Sequence, residues 1–474
     1  MLDDMLDYVE HIRQRPVWQS PPEASEAVFK TAMPVDGGSL QAAQATFQKH
    51  VLPYAIGNAH PGFMGWAHGG GSVVGMLAEM LAAGLNSNLG GRDQIPIAVE
   101  QQVVAWMRQL FSFPDTASGL FVTGSSLANL IGVLVARTTA VGSQVRRTGL
   151  ADSKPMTVYT SVAAHGCIAQ ALEVAGIGSQ QLRRIPTNAQ HQMDLAALRA
   201  AITVDLGENQ LPLCIVGTAG TVDVGAIDDL AGIAQIARSY GLWFHIDGAC
   251  GALGMLSEQL AARFSGIELA DSIALDFHKW GQVPYDAGFI LVRNAQAHYE
   301  TFAAPAAYLR REARGMAAGS PWPCDYGPDL SRSFKALKVW FTFQVYGAAR
   351  LGAMMAETCA LALYLAQRVV DDPDLELLAP VALNIVCFRY IGDDADRINS
   401  EIVVGLQESG VAAPSSTTVD GKIAIRAAIF NHRTTRADID RMLLAILQFG
   451  KSLRSTSSLG ELPLCLRSPD PANL

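Results

Sequence analysis

Residues 271–286 read DSIALDFHKWGQVPYD, and they set a lysine at the end of an apolar run, between a histidine and a tryptophan. Residues 272–277 have the continuous apolar character of a strand buried on both faces. Gly281 and Pro284 turn the chain soon after Lys279. A surface lysine needs no such setting. An amine that must be neutral part of the time, or held in an imine, does; a lysine snorkelling from a strand end is the blander reading.

Outward from this stretch, strand and helix patterns alternate. GLFVTGSSLANLIGVLVART (119–138) reads as a short strand, a Gly-Ser turn and an apolar helix. MTVYTS (156–161) is a strand and AHGCIAQALEVAGI (164–177) a helix. LPLCIVGTAGTVD (211–223) runs from a strand into a Gly/Thr turn; DDLAGIAQIARSYG (228–241) is a helix and LWFHID (242–247) a strand. GFILVR (288–293) reads as an antiparallel return. This pattern predicts a mainly parallel sheet covered by helices on both faces, an α/β fold whose ligand sites lie at the carboxyl ends of the strands. Ser125, Ser126, His165, Thr218, Asp247 and Lys279 all fall there. From residue 346 the order helix, strand (LNIVCFRYI, 383–391), helix, strand (KIAIRAAI, 422–429), helix predicts a smaller α+β domain. The expected division is a helical segment over 1–85, a large domain over 86–345 and a small domain over 346–474, with 463–474 a loose tail.

The chain has 474 residues, half of them hydrophobic and 17% charged, which suits a large packed core. Its net charge of −9 argues against nucleic acid or an anionic membrane surface as the main partner. The first residues, MLDDMLDYVEHIRQR, are acidic and amphipathic, unlike a signal peptide, and no apolar stretch reads as a membrane span. Seven cysteines without a CxxC pair suit reduced thiols in a cytoplasm better than a disulfide frame or a metal site.

An imine between Lys279 and pyridoxal 5'-phosphate would explain the set of polar residues. The phosphate needs amides at a helix N-terminus together with hydroxyls, which TGSSLAN (123–129) offers through Gly124, Ser125 and Ser126; alone, that motif reads as well as a plain helix cap. The pyridine nitrogen needs a buried carboxylate to stay protonated, and Asp247 is placed for it or for capping the next turn. Gly248 and Ala249 are small enough for a flat ring to lie against the backbone. His165 would stack on the ring, and Thr218 would reach its phenolic oxygen or a substrate carboxylate.

Together these residues resemble the group II pyridoxal-phosphate-dependent decarboxylases, the family of aromatic-amino-acid, histidine and glutamate decarboxylases. The likeness runs from about residue 60 to 440 and is most specific in GLWFHIDGACGA (241–252) and DSIALDFHKW (271–280). It implies the type I, aspartate-aminotransferase-like fold and a homodimer with active sites at the subunit interface. By the same resemblance, Lys279 is the Schiff-base lysine and His278 lies near the phosphate. Asp247 pairs with the pyridine nitrogen, Ala249 lies under the ring and His165 above it. Ser125 and Ser126 match the phosphate turn, and Thr218 the Gly/Thr turn.

Several residues depart from the family pattern. Cys250 replaces a tyrosine and Phe277 a common proline. In HPGFMGWAHGGGS (60–72) Phe63 and Trp66 are the aromatic residues left, and Trp66 is a candidate substrate contact. The family's mobile loop carries a tyrosine that reprotonates the substrate carbon after carbon dioxide leaves. Counting between Tyr308–Leu309 and residues 337–340, its place falls near 321–323, where Trp322 stands, with Tyr326 a few residues on. Arg426 matches a position that holds a substrate carboxylate, or makes a structural ion pair. The expected activity is decarboxylation of an L-amino acid to an amine and carbon dioxide. The alternatives are an aldehyde-forming oxidative decarboxylase or deaminase, a transaminase, and, remotely, a non-catalytic cofactor-binding scaffold.

Overall fold

The structure, a computed structural model, describes residues 1–304 and 307–457; the expected tail at 463–474 lies outside them. The chain forms two compact units, residues 71–357 and residues 1–70 with 358–474. Thus the first seventy residues group with the C-terminal part rather than standing as a segment of their own. The divisions fall at 70/71 and 357/358, where the sequence pattern placed them at 85/86 and 345/346.

In chain order the strands are β1 (Phe63–Met64), β2 (Ser118–Val122), β3 (Met156–Ser161), β4 (Leu182–Ile185), β5 (Leu211–Thr218), β6 (Trp243–Asp247), β7 (Ser272–Asp276), β8 (Gly288–Val292), β9 (Leu375–Leu377), β10 (Ile385–Tyr390), β11 (Ala413–Val419) and β12 (Lys422–Ala428). The large unit holds a seven-stranded sheet in the order β2-β8-β7-β6-β5-β3-β4. Neighbours from β7 to β4 are parallel, while β8 runs antiparallel to both β7 and β2. The expected antiparallel return is therefore present, and the fold is α/β of the type I architecture.

The strands are apolar because both faces are covered. Along β5, Cys214 and Val216 pack with Val133 and Ala136 of the helix Ser125–Val141 and with Ile168 and Leu172 of the helix Cys167–Val174. Alternate residues face the other way, and Gly217 lies against Ile233 and Leu230 of the helix Leu230–Tyr240. Leu213, Ile215 and Val216 are at most 2% exposed, and each such burial contributes about 1.5–3 kcal/mol.

The second unit carries a five-stranded sheet in the order β1-β11-β12-β10-β9. β1 lies parallel to β11, which explains how residues before 70 join a domain built mostly from the C-terminal part. Its core joins Met64 to Val386, Phe388, Ile425, Ile402 and Ile439. The helix Lys335–Asp371 is long and apolar enough to cross a membrane by composition, but it is broken at Gly347, where φ is 73°.

Candidate active site

Parallel strands deliver their last residues to one sheet edge. Thr218 ends β5 and pairs in register with Asp247, which ends β6; Asp247 in turn pairs with Ala274 of β7. Lys279 follows three residues after β7 ends. The amine, the carboxylate and the hydroxyl that the sequence singled out thus converge at the carboxyl edge of three adjacent strands.

Lys279 Nζ lies 2.9 Å from Asp276 Oδ2, and the Asp276 side chain is only 2% exposed. Burial alone would lower the amine's pKa, but Cys250, Asp276 and Asp247 together raise it above the ordinary lysine range. Burial pushes against the Asp276 charge as well; Lys279, His278 and Ser125 outweigh it and hold that carboxyl below its usual range. Asp276 also accepts two hydrogen bonds from Ser125, from the amide at 2.7 Å and from Oγ at 2.7 Å. His278 Nε2 stands 3.7 Å from Asp276 Oδ1, and His278 Nδ1 accepts from the Ala287 amide at 3.0 Å. Burial lowers the His278 pKa, so the imidazole is neutral at neutral pH.

Asp247 is a buried carboxylate whose pKa is raised by desolvation, against Lys279, the Ala249 amide and His165. Its Oδ1 accepts from Ala249 N at 3.1 Å, which draws the small residue Ala249 in beside it. His165 is exposed, and its Nδ1 accepts from the Cys167 amide at 3.1 Å. Thr218 is 4% exposed and its Oγ1 has no hydrogen-bond partner, while its amide is fixed by Asp228 Oδ2 at 2.8 Å.

The helix Ser125–Val141 starts at this edge with Gly124 as its N-cap and no side-chain cap bond. Ser125 is buried and turned to Asp276, whereas Thr123 and Ser126 are exposed and leave their hydroxyls open to an anion. The turn can form only because Gly288 lacks a side chain: a Cβ there would stand 2.4 Å from Gly124 Cα.

These groups fit pyridoxal phosphate. An amine for the aldehyde, a buried carboxylate for the ring nitrogen, an unsatisfied buried hydroxyl and an uncapped helix N-terminus lie at one edge. A separate cavity of about 780 Å³ beside Trp243, Asp271, Arg293 and Asn294 lies at the amino ends of the strands, away from Lys279.

Other sequence candidates lie elsewhere. Tyr326 packs with its ring centroid 5.1 Å from that of His298 and 6.1 Å from that of Tyr299. Those residues belong to the helix Ala295–Phe302, which follows β8, so Tyr326 sits at the opposite sheet edge from Lys279 of its own chain. Trp322 is 1% exposed and held between Arg311 and Arg92, whose guanidinium carbons are 3.5 and 4.5 Å from the ring centroid. Its indole N–H donates to Ala318 O at 2.8 Å. In the second unit Trp66 is 51% exposed. Buried Arg426 donates to Trp66 O at 2.9 Å and to Ser415 Oγ at 3.3 Å, an anchoring of the loop around Trp66.

Two residues escaped the sequence reading. Asp276 was hidden inside a strand pattern, although a carboxylate closing an apolar run is itself a signal. Tyr285 packs its ring 4.2 Å, centroid to centroid, from His278.

Residues 22–391 match the model of the pyridoxal-dependent decarboxylase conserved domain. The chain is 31% identical to an aromatic-L-amino-acid decarboxylase of Bacillus atrophaeus over 94% of its length and 93% of that protein. It is 32% identical to an L-2,4-diaminobutyrate decarboxylase of Rhizobium meliloti over 89% of its length and 84% of the relative. Among solved structures, it superimposes with a TM-score of 0.85 and 28% identity on the glutamate decarboxylase domain of a diaminobutyrate-pyruvate transaminase and L-2,4-diaminobutyrate decarboxylase from Vibrio parahaemolyticus, covering 95% and 94% of the two chains. With its strand-end lysine and carboxylate in place, this chain belongs to the pyridoxal-dependent decarboxylases, enzymes that use pyridoxal 5'-phosphate to remove a carboxylate from an amino acid.

Proposed function

We propose that the edge formed by β5, β6 and β7 is the site of this decarboxylation, acting on the α-carboxylate of an L-amino acid. The observation that carries the reading is the register of β6 beside β7, which sets Asp247 next to the strand that leads into Lys279. The bound cofactor supplies an electron-withdrawing ring that stabilises the carbanion left when carbon dioxide departs.

The chain's own residues divide the remaining work. Lys279 would hold the cofactor through its amine. Asp247, whose pKa burial raises, would face the cofactor's ring nitrogen and keep a proton there. Ala249 and His165 would flank the cofactor ring. Thr218 Oγ1, buried and unsatisfied, would donate to a cofactor or substrate oxygen. Gly124 and Ser126 would receive the phosphate, with His278 beside them, while Asp276 holds Ser125 and Lys279 in place.

The proposal includes a homodimer with interfacial sites. Its support is an exposed apolar set in the large unit, with Met80, Leu81, Leu85 and Ile95 between 47% and 77% exposed. It also places the protein in the cytoplasm, supported by six cysteines among the described residues that form no disulfide.

Purified protein loaded with the cofactor and offered the proteinogenic amino acids, ornithine and 2,4-diaminobutyrate should give amine and carbon dioxide in equal amounts from one of them. Carbon dioxide from none would reject the reading. Aldehyde formation is the second reading, supported by the buried Trp322 at the family tyrosine's place; equal aldehyde and hydrogen peroxide in that incubation would establish it.

A further inference from the structure

Asn129 stands in an apolar helical run, SLANLIGVLVA (126–136), yet it is 0% exposed. A buried side-chain amide is stable only when its donors and acceptor find partners. Here the partners come from other elements of the same unit. His245 Nε2, on β6, donates to Asn129 Oδ1 at 2.8 Å, and Asn129 Nδ2 donates to Cys167 Sγ at 3.3 Å. Behind His245, Ser272 Oγ of β7 lies 2.7 Å from Nδ1 and accepts from Trp243 Nε1 at 2.8 Å. An amide oxygen only accepts, so His245 carries its proton on Nε2 and Ser272 donates to Nδ1. Burial lowers the His245 pKa to about 3, which keeps the ring neutral. Gly132 makes room for that ring, since a Cβ there would lie 2.6 Å from His245 Cε1.

Each element joined by these bonds also presents a residue of the candidate site. The helix of Asn129 begins at the turn that holds Ser126. β6 ends in Asp247, two residues beyond His245 and on the same sheet face. β7 begins at Ser272 and leads into Lys279. Cys167 follows His165 by two residues, and its amide donates to His165 Nδ1 at 3.1 Å. Apolar packing between such elements tolerates small slides, whereas directed hydrogen bonds do not. All of these bonds lie within one chain, so they hold whatever residues a second subunit brings to the site.

Resting on the decarboxylase reading, we infer that Asn129 is a positioning residue: through His245 and Cys167 its amide fixes Ser126, Asp247 and His165 relative to one another and so orients the bound cofactor. Asn129 itself touches neither cofactor nor substrate. Its effect on the reaction is geometric, and a displacement of about 1 Å at a reacting centre can cost about 100-fold in rate.

The test is Asn129→Leu, which keeps the volume and removes both hydrogen bonds. The first readout is the visible circular dichroism of bound pyridoxal phosphate, which follows the orientation of the ring and needs no turnover. The variant should show an altered visible signal and lose cofactor about tenfold faster on dialysis. Its kcat should fall about 10–100-fold with KM within about twofold of the parent. Cys167→Ala removes only the acceptor of Asn129 Nδ2 and keeps the amide on His165, so it should shift the signal and kcat in the same direction by less. That variant decides the question if N129L does not fold. Ser118→Ala is the control, because it removes a buried hydrogen bond, 2.8 Å long to His298 Nδ1, at the amino end of β2. It should lower the urea midpoint while the visible signal and kcat stay parental. A parental signal and kcat in N129L, or in C167A where N129L does not fold, would overturn the assignment and leave the network a purely structural role. The same shifts in S118A would also overturn it, since any loosening of the unit would then suffice. A parent that releases no carbon dioxide would remove the decarboxylase reading, while the cofactor signal of the variants would still decide the role of Asn129.

Discussion

Replacing Asp276 by asparagine removes a charge from Lys279 with little change in shape. At an effective dielectric of about 20, unit charges 2.9 Å apart attract by about 6 kcal/mol before desolvation is subtracted. Charge-assisted hydrogen bonds retain about 1.5–3 kcal/mol of such attraction, and 1.36 kcal/mol is about one pK unit. Asp276→Asn should therefore lower the Lys279 pKa by about 1–2 units. Below both values, the neutral amine fraction rises about tenfold per unit, so apoprotein and pyridoxal phosphate should combine about 10–100-fold faster at neutral pH. The stability effect has a defined sign. Lys279 is raised above its ordinary 10.5, so its contribution is complete below that pH and is lost as pH rises through the folded-state value. Asp276 is lowered below 3.8, so its contribution is present above that pH and lost as pH falls through its folded-state value. The assay is stopped-flow absorbance of cofactor binding to apoprotein between pH 6 and 10 for parent and variant. Profiles that overlay would refute the idea that Asp276 keeps the amine protonated.

Three further outcomes follow from other parts of the large unit. Asp247→Asn should keep the visible absorbance of cofactor attached at Lys279 yet reduce turnover by about 100-fold or more; near-parental kcat would count against the ring-nitrogen role. Glu100→Gln leaves Arg332, 4% exposed and 2.6 Å from Glu100 Oε1, without its countercharge. The cost should be about 3–5 kcal/mol, seen as a lower urea midpoint, and an unchanged midpoint would show that the pair contributes nothing. Gly288→Ala sets a methyl 2.4 Å from Gly124 Cα, so cofactor retention on dialysis should weaken while the far-ultraviolet circular dichroism stays parental.

The central strands were legible because burial on both faces leaves unbroken apolar runs such as LCIV (213–216). The short edge strand β4, with Arg183 and Arg184 in its middle, and β11, spelled APSSTTV, were not. Edge position and one solvated face remove the apolar signal there. Residues that end strands were readable as a site because parallel strands deliver their last residues to one edge; the register of Thr218 beside Asp247 agrees with that reading. The pairing of Phe63 with Ala413 was not readable, since nothing local to either residue specifies a contact so distant in the chain. Asp276 escaped for a related reason. Lys279 is only three residues away, but its other partner, Ser125, reaches it only once β2, β8 and β7 are adjacent.

The account rests on Lys279 as the amine that holds the cofactor. Borohydride reduction of the loaded enzyme, followed by proteolysis and mass spectrometry, should place the phosphopyridoxyl mass on Lys279 alone. Finding that mass on Lys338, a lysine 1% exposed beside Glu79 in the same unit, would contradict it.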